Sequence, residues 1–271
     1  MTDLLNELNN LSVKYHFKSK KKLSQNFLIN ENVLNEMVEQ ASLNEKDIVL
    51  EIGAGTGFLT KKILEKGCKV IAVERDETLA EVLKNEIKSD RINLIEGDFL
   101  KEEIPSFNKV VSSPPYHISS DIMFKLYELK FDSAVMLFQR EFAGKLSAEP
   151  GFREYIALSV LNDYFCETSF IEGISPSSFY PCPPTSSSII KLNWNKRFGE
   201  AIDDQLFTEF IKTIFRYKKK NLSAALRNSL PFLKERMNLN EKKSDGLELS
   251  EEKVYLLETK QLVEIFNELI E

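Results

Sequence analysis

The chain has 271 residues, a net charge of −6, 42% apolar residues and 29% charged residues, enough for one large core and a small second domain. It holds no run of about 18 apolar residues, so no membrane span is expected. Its start, Met-Thr-Asp-Leu-Leu-Asn-Glu, lacks the basic-then-apolar pattern of a secretory signal, which points to a cytoplasmic protein.

Leu4, Leu5, Leu8 and Leu11 recur at helical spacing, so residues 1–17 read as a short amphipathic helix or a loosely docked arm. Lysines follow, then Leu23-Ser24-Gln25-Asn26-Phe27-Leu28-Ile29, then a helix over Glu31 to Ala41. Gln25 and Asn26, polar residues between apolar ones, are either turn residues or reach a ligand. Asp47 to Ile52 reads as a buried strand that runs into Gly53-Ala54-Gly55-Thr56-Gly57-Phe58 and a helix through Leu64. Strand, glycine turn and helix form the first unit of a doubly wound α/β sheet, with Gly53 and Gly55 letting the backbone approach a ligand. The glycines fall at relative positions 1, 3 and 5, whereas a dinucleotide fingerprint places them at 1, 3 and 6. This weakens a nicotinamide-cofactor reading, and the spacing is similar to that of S-adenosylmethionine-dependent methyltransferases.

Lys69 to Val73 is the second strand, ending in Glu74, placed about 20 residues on to accept hydrogen bonds from ribose hydroxyls. A helix over Leu79 to Ile87 and a strand over Ile92 to Glu96 lead to Asp98, a candidate acceptor for an adenine amino group, with Phe99 beside it. Val110-Val111 closes a fourth strand before Ser112-Ser113-Pro114-Pro115-Tyr116. Two successive prolines make a stiff, non-helical corner. Either this is a plain strand-to-helix turn ending in a packed Tyr, or it holds the Ser113 oxygen, the Pro114 carbonyl and the Tyr116 ring on one edge, suited to a planar base bearing an amino group. Gly53, Glu74, Asp98 and Ser113 thus all fall at carboxyl ends of strands, where open α/β sheets bind ligands.

Further on, a helix is expected over Ile118 to Leu129, a strand over Ser133 to Phe138, and a helix from Gln139. Tyr155 to Phe165 is a strand or a helix. Phe179 opens a rigid aromatic loop before a last, antiparallel strand over Ser187 to Leu192. After Trp194-Asn195-Lys196-Arg197 the patterns are helical: Asp203 to Phe215, Lys219 to Leu230, and Lys253 to Leu269. The domains expected are an arm (1–17), an α/β domain (18–195) and a small all-α domain (196–271). Cys68, Cys166 and Cys182 are scattered, and His16 and His117 are too few for a His-rich site, so reduced thiols and no metal are expected. Basic residues cluster at Lys14, Lys18, Lys20, Lys21 and Lys22, and again at Arg216, Lys218, Lys219, Lys220 and Arg227. Each cluster alone is more often a solvated face than a binding patch, and in an acidic chain the two together suit selective docking on a large RNA better than general nucleic-acid coating.

As a set, these segments resemble the small-subunit rRNA adenine N6-dimethyltransferases, in their archaeal and eukaryotic branch. The resemblance rests on Leu23-Ser24-Gln25-Asn26-Phe27-Leu28, Glu51-Ile52-Gly53-Ala54-Gly55-Thr56-Gly57, Val73-Glu74-Arg75-Asp76 and Gly97-Asp98-Phe99. It continues through Pro115-Tyr116 with Ile118-Ser119-Ser120, Phe138-Gln139-Arg140-Glu141-Phe142-Ala143, Phe179-x-Pro181-x-Pro183 with Ser187, and Phe215-x-x-Lys218-Lys219-Lys220-x-Leu222. It covers roughly residues 18 to 230.

The resemblance implies a Rossmann-like class I methyltransferase sheet with a small C-terminal helical domain. It implies that Asn26, Leu28, Gly53, Glu74, Asp98 and Ser113 contact S-adenosylmethionine or the reacting amine, and Gln25, Gly55 and Phe99 are expected beside them in the cofactor site. The reacting base would meet Ser113, Pro114, Tyr116 and Phe179, with Tyr116 and Phe179 sandwiching it. The implied reaction is dimethylation of adjacent adenosines in a hairpin loop near the 3′ end of small-subunit (16S) rRNA, in ribosome biogenesis. The partner would be the small ribosomal subunit, with Lys20, Lys21, Lys22, Lys218, Lys219, Lys220 and Arg227 on its rRNA. A monomer is expected. One departure is present: the family usually has Asn-Leu-Pro-Tyr or Asn-Ile-Pro-Tyr, whereas this chain has Ser113-Pro114-Pro115-Tyr116. Related amino-methyltransferases use Ser before Pro-Pro-Tyr, so the departure bears on rate and product pattern rather than on reaction class. The competing readings are a non-catalytic small-subunit assembly factor on the same fold and a large-subunit rRNA adenine methyltransferase.

Overall fold

The structure is a computed structural model that describes residues 3–20, 23, 25–198, 200–237 and 249–270. Lys21 and Lys22, two of the expected RNA contacts, lie outside the described residues. The chain divides into two compact units, Met1–Ala143 with Ser169–Asn193 and Gly144–Thr168 with Trp194–Glu271.

The first unit begins with helix α1 (Asp3–Lys14), which buries Leu8 and Leu11. Each buried Leu is worth roughly 1.5–3 kcal/mol, whereas an exposed ion pair is worth about 0–1. The Glu7–Lys61 pair, with side chains 43% and 37% exposed, therefore aligns α1 more than it holds it. Strand β1 (Phe27–Leu28) and helix α2 (Glu31–Gln40) follow, the helix capped by the Asn30 side chain on the Asn32 and Val33 N–H groups. Then come β2 (Ile48–Ile52), α3 (Phe58–Leu64), β3 (Lys69–Glu74), α4 (Glu77–Glu86), β4 (Ile92–Glu96) and β5 (Lys109–Ser112). After β5 a 3-10 turn (Tyr116–Ile118) opens α5 (Ser119–Leu129), and β6 (Ser133–Gln139) and α6 (Arg140–Leu146) follow.

Helix α7 (Ala157–Phe165) settles the segment the periodicity left open, although the helix begins two residues after Tyr155. Strand β7 (Cys166–Ile174) has no counterpart in the sequence reading. Short β8 (Phe179–Tyr180) and long β9 (Ser187–Trp194) complete the strands. The main sheet has seven strands in the order β4-β3-β2-β5-β6-β9-β7. Strands β2 to β6 pair in parallel, and β9 runs antiparallel to β6 as its sequence suggested. Strand β7 lies at the edge, where its middle residues are exposed or half-buried, so the alternation that reveals a half-buried strand is missing.

Strands β1 and β8 form a separate antiparallel pair, with Phe27 opposite Tyr180 and Leu28 opposite Phe179. Ile29 N–H extends the pairing to the Ser178 carbonyl at 2.9 Å. The motif around Gln25-Asn26 and the aromatic loop, far apart in sequence, thus fix each other.

The second unit is built on α7, α8 (Asp204–Ile214), α9 (Leu222–Leu233) and α10 (Thr259–Leu269). Phe207, Phe210 and Phe266 form its aromatic centre, with ring centroids 5.4 Å apart from Phe266 to each of the others. Tyr164 donates to Asp204 at 2.8 Å and Tyr155 to the Leu257 carbonyl at 2.9 Å. Those bonds tie residues 144–168 to the C-terminal helices. Lys253 does not start a helix: it bridges Asn221, and a 3-10 turn (Val254–Leu256) precedes α10. All three cysteines are free thiols. Among the described residues, no helix is long and apolar enough to cross a membrane.

Candidate active site

The carboxyl ends of four adjacent strands meet one cleft of about 840 Å³, open to solvent. Strand order makes the contributing positions neighbours: Asp98 after β4, Glu74 ending β3, Gly53 after β2 and Ser113 after β5. Gln25, Asn26, Gly55, Phe99, Pro114 and Tyr116 line the same cleft. Leu28 lines an adjoining cavity of about 430 Å³, which also touches Asn26, Gly53, Gly55 and Ser113.

The Pro-Pro corner is fixed from its strand side. Buried Ser112 donates its hydroxyl to the Ile52 carbonyl at 2.8 Å and accepts the Ile52 N–H at 3.2 Å. Beyond the corner, Ser119 Oγ donates to the Tyr116 carbonyl at 2.9 Å. The glycine turn comes close to this corner. Gly53 has φ +74°, and a Cβ on it would stand 3.1 Å from Pro115 Cδ. Gly is needed there for the left-handed backbone and for the approach. Gly55, at φ +60°, gives its N–H to Glu74 Oε2 at 2.8 Å. Glu74 Oε1 accepts the Asp76 N–H at 2.8 Å.

Glu74 is 7% exposed. Burial raises its carboxyl above the usual range, and the N–H groups of Asp76 and Gly55 offset part of that rise. Glu51, behind the turn, is fully enclosed: burial pushes it up to about 8, against a 2.6 Å bond from Thr60 Oγ1, and Glu74 adds to the rise. Asp98 pairs with Arg75 at 3.2 Å and takes the Leu100 N–H at 3.1 Å. Phe99 is buried, and Lys125 Nζ sits 4.9 Å from its ring centre.

Asp76 draws the leading segment onto this site. Its Oδ2 pairs with Lys20 Nζ at 2.7 Å and accepts from Gln25 Nε2 at 2.9 Å, while Oδ1 caps α4 through the Thr78 N–H at 3.1 Å. Burial acts to raise the Asp76 carboxyl, but Lys20 and Gln25 outweigh it and hold it below its usual value.

Tyr116 is half-buried, and its hydroxyl lies 2.6 Å from Ser187 Oγ. Burial pushes the phenol up to about 12, so it stays protonated at neutral pH. Phe179 meets Tyr116 edge to face, with centroids 6.5 Å apart and planes at 75°. At 1% exposed it stands outside the cleft lining, so the two rings do not form a parallel-walled slot.

Of the expected RNA contacts, Lys20 is engaged by Asp76. Lys218 donates to the Arg153 and Tyr155 carbonyls at 2.9 and 2.7 Å, and burial lowers its pKa. Lys219, Lys220 and Arg227 are exposed in the second unit. Sequence reasoning missed the Asp76 clamp, the Arg75–Asp98 pair and the Ser187 bond, because each joins residues whose partners only the fold reveals.

The cleft combines carboxylate acceptors, a glycine turn and apolar walls from Phe27, Leu79 and Ile118. That set of acceptors beside apolar walls fits a nucleoside with hydroxyl and amino donors. A family profile described as "Ribosomal RNA adenine dimethylase" matches residues 16–271. A probable ribosomal RNA small subunit methyltransferase A of Methanothermobacter thermautotrophicus is 36% identical over 267 residues, covering 98% of this chain and 96% of that protein. A dimethyladenosine transferase structure from Plasmodium falciparum is similar at 27% identity and a TM-score of 0.73, covering 88% of this chain and 95% of that one. The structure of the 23S rRNA methyltransferase ErmE is similar at 25% identity and a TM-score of 0.63, covering 90% and 99%. The sheet is that of Rossmann-like class I methyltransferases, and the chain belongs to the ribosomal RNA adenine dimethylase family.

Proposed function

We propose that this protein dimethylates N6 of adjacent adenosines in a hairpin loop near the 3′ end of small-subunit rRNA. S-adenosylmethionine would be its cofactor. The observation that carries the reading is the meeting of the glycine turn and the Pro-Pro corner at Gly53 and Pro115, within one acceptor-rich cleft.

Glu74 would take the ribose hydroxyls and Asp98 the adenine amino group of the cofactor, with Phe99 beside that base. Gln25, Asn26, Leu28, Gly53, Gly55 and Ser113 would hold its remainder. When bound, the cofactor supplies a methyl group made electrophilic by a sulfonium. The chain's part is to prepare the nucleophile. An adenine amine is weakly nucleophilic because its lone pair is delocalised into the ring. Ser113 and the Pro114 carbonyl accept its two N–H bonds and favour a pyramidal nitrogen. Tyr116 offers its ring face to the unstacked base, and such a stack is worth roughly 1–3 kcal/mol. Tyr116 is not the base that removes the proton, since its phenol is held protonated. The proton can leave to water once the nitrogen carries the new bond, so positioning and charge stabilisation do most of the work.

On this reading the partner is the assembling small ribosomal subunit, the compartment the cytoplasm and the working form a monomer. Of the expected contacts, Lys219, Lys220 and Arg227 are exposed, and they would meet rRNA phosphates. The test is transfer of labelled methyl to undermethylated small subunits against large subunits: label in an adenine of the small-subunit rRNA supports the reading. Label in large-subunit rRNA, or none, overturns it.

A further inference from the structure

The sheet edge that carries the cleft continues past Tyr116. Beyond β5 lie β6, β9 and β7. There a separate surface cavity of about 590 Å³, solvent-open space included, is lined by Arg140, Phe170, Ile174, Ser175, Ser186 and Ser187. Ser187 joins the two places, because the hydroxyl that reaches Tyr116 at 2.6 Å belongs to a residue of this cavity's wall. The cavity therefore begins one side chain away from the ring on which the target base would rest.

Its chemistry differs from that of the first cleft. Glu74 and Asp98 line the first cleft and would repel phosphate; among the described residues no carboxylate lines this cavity. Arg140 follows the last residue of β6, and its backbone N–H is fixed to the Ser186 carbonyl at 3.0 Å. Its side chain is exposed and, among the described residues, makes no ion pair. Phe170, on edge strand β7, is 61% exposed. An exposed Phe alone needs no explanation. A Phe and an unpaired Arg in one cavity, next to the reacting corner, supply the two elements that bind single-stranded nucleic acid: a stacking face and a cation for the backbone.

We propose that this cavity takes the nucleotide adjacent to the target adenosine, with its phosphate on Arg140 and its base on Phe170. The inference rests on the methyltransferase reading above. A base drawn out of its stack leaves a neighbour that must be accommodated, and this cavity lies on the side of Tyr116 away from Glu74 and Asp98. It would hold the loop in register so that one adenosine of an adjacent pair reaches Ser113 at a time.

The experiment compares Arg140→Ala, Arg140→Lys, Phe170→Ala and Phe170→Trp with the wild type. The probe is a synthetic RNA hairpin whose loop holds two adjacent adenosines. Equilibrium binding is measured across a salt series, and methyl transfer is measured separately. Arg140→Ala should flatten the slope of log affinity against log salt by roughly 0.7–0.9, the value of one phosphate contact, and Arg140→Lys should restore it. Phe170→Ala should weaken the hairpin roughly 5- to 150-fold, the worth of one stacked base, and Phe170→Trp should recover it. Both losses should fall more on KM for RNA than on kcat, with the affinity for S-adenosylhomocysteine unchanged. Both side chains are exposed, so melting temperatures should not move. Unchanged salt slope and hairpin affinity in both alanine variants would overturn the subsite while leaving the methyltransferase reading intact. A wild type that binds the hairpin without transferring methyl would overturn that reading, and the salt series would still decide the subsite. A wild type that does not bind the hairpin would overturn the subsite.

Discussion

The Tyr116 hydroxyl and the Ser187 Oγ lie 2.6 Å apart, and this bond fixes the ring at the mouth of the Pro-Pro corner. Tyr116→Ala should lower kcat/KM for RNA by at least about 100-fold, through the lost stack and the lost positioning. S-adenosylhomocysteine binding should persist. Tyr116→Phe removes one neutral hydrogen bond, worth about 0.5–1.5 kcal/mol, and should cost less than roughly tenfold. Single-turnover methylation alongside calorimetry checks both. Equal loss of cofactor and methylation in Tyr116→Ala would mark the ring as structural.

Glu74 serves two masters in the fold, the Gly55 N–H and the Asp76 N–H, and is expected to serve the ribose as well. A hydrogen bond to a charged group contributes about 1.5–3 kcal/mol, so Glu74→Ala should weaken S-adenosylhomocysteine roughly 10- to 150-fold. Calorimetry reads this directly, and unchanged affinity would remove Glu74 from the cofactor site.

Asp76 should govern how tightly the segment carrying Gln25 and Asn26 is held. Its folded pKa is lowered, so its contribution is present at neutral pH and is lost as pH falls below its ordinary value of 3.8 through the folded one. Asp76→Asn keeps a cap for α4 but removes the charge that Lys20 meets. Because the Lys20 side chain is 52% exposed, the ion pair itself is worth about 1 kcal/mol or less. Hydrogen exchange should rise at Gln25 to Phe27 in Asp76→Asn and in Lys20→Met, with little change in global melting temperature.

Glu51 gives the opposite pH signature. Its folded pKa of about 8 stands above the ordinary 4.5, so between those values the folded state holds a proton the unfolded state has shed. Stability should therefore fall as pH rises through that window. Glu51→Gln leaves Thr60 an acceptor and removes the titration. Thermal melts of this variant should show a flatter pH dependence than the wild type between about pH 5 and pH 8.

The second basic cluster should divide by function. Lys219, Lys220 and Arg227 are exposed, and replacing each by Gln should flatten the salt dependence of rRNA binding. Lys218 is committed to the Arg153 and Tyr155 carbonyls, so Lys218→Gln should lower the melting temperature more than it changes the salt slope. Filter binding across a salt series and a melting curve distinguish the two.

What the sequence made legible was whatever the local chain dictates. Continuous apolar runs gave β2, β3 and β6, and Gly53 and the prolines at 114 and 115 gave the turns that close the cleft. Contacts between distant segments were not legible. Nothing local says that Phe27 pairs with Tyr180, that Lys20 answers Asp76, or that Tyr155 bonds to Leu257. Strand β7 escaped because an edge strand bathed by solvent on much of its length needs no alternation. Phe179 carried an aromatic signal that a stacking face and a core residue share, and the fold buries it.

Adenosine dimethylation is tested with purified protein, methyl-labelled S-adenosylmethionine and undermethylated small ribosomal subunits, with product nucleosides identified by mass spectrometry. N6,N6-dimethyladenosine is expected in the small-subunit rRNA, made with Ser113 at the corner. Tight subunit binding without methyl transfer would contradict it, and would favour an assembly factor that has kept the fold and lost the chemistry.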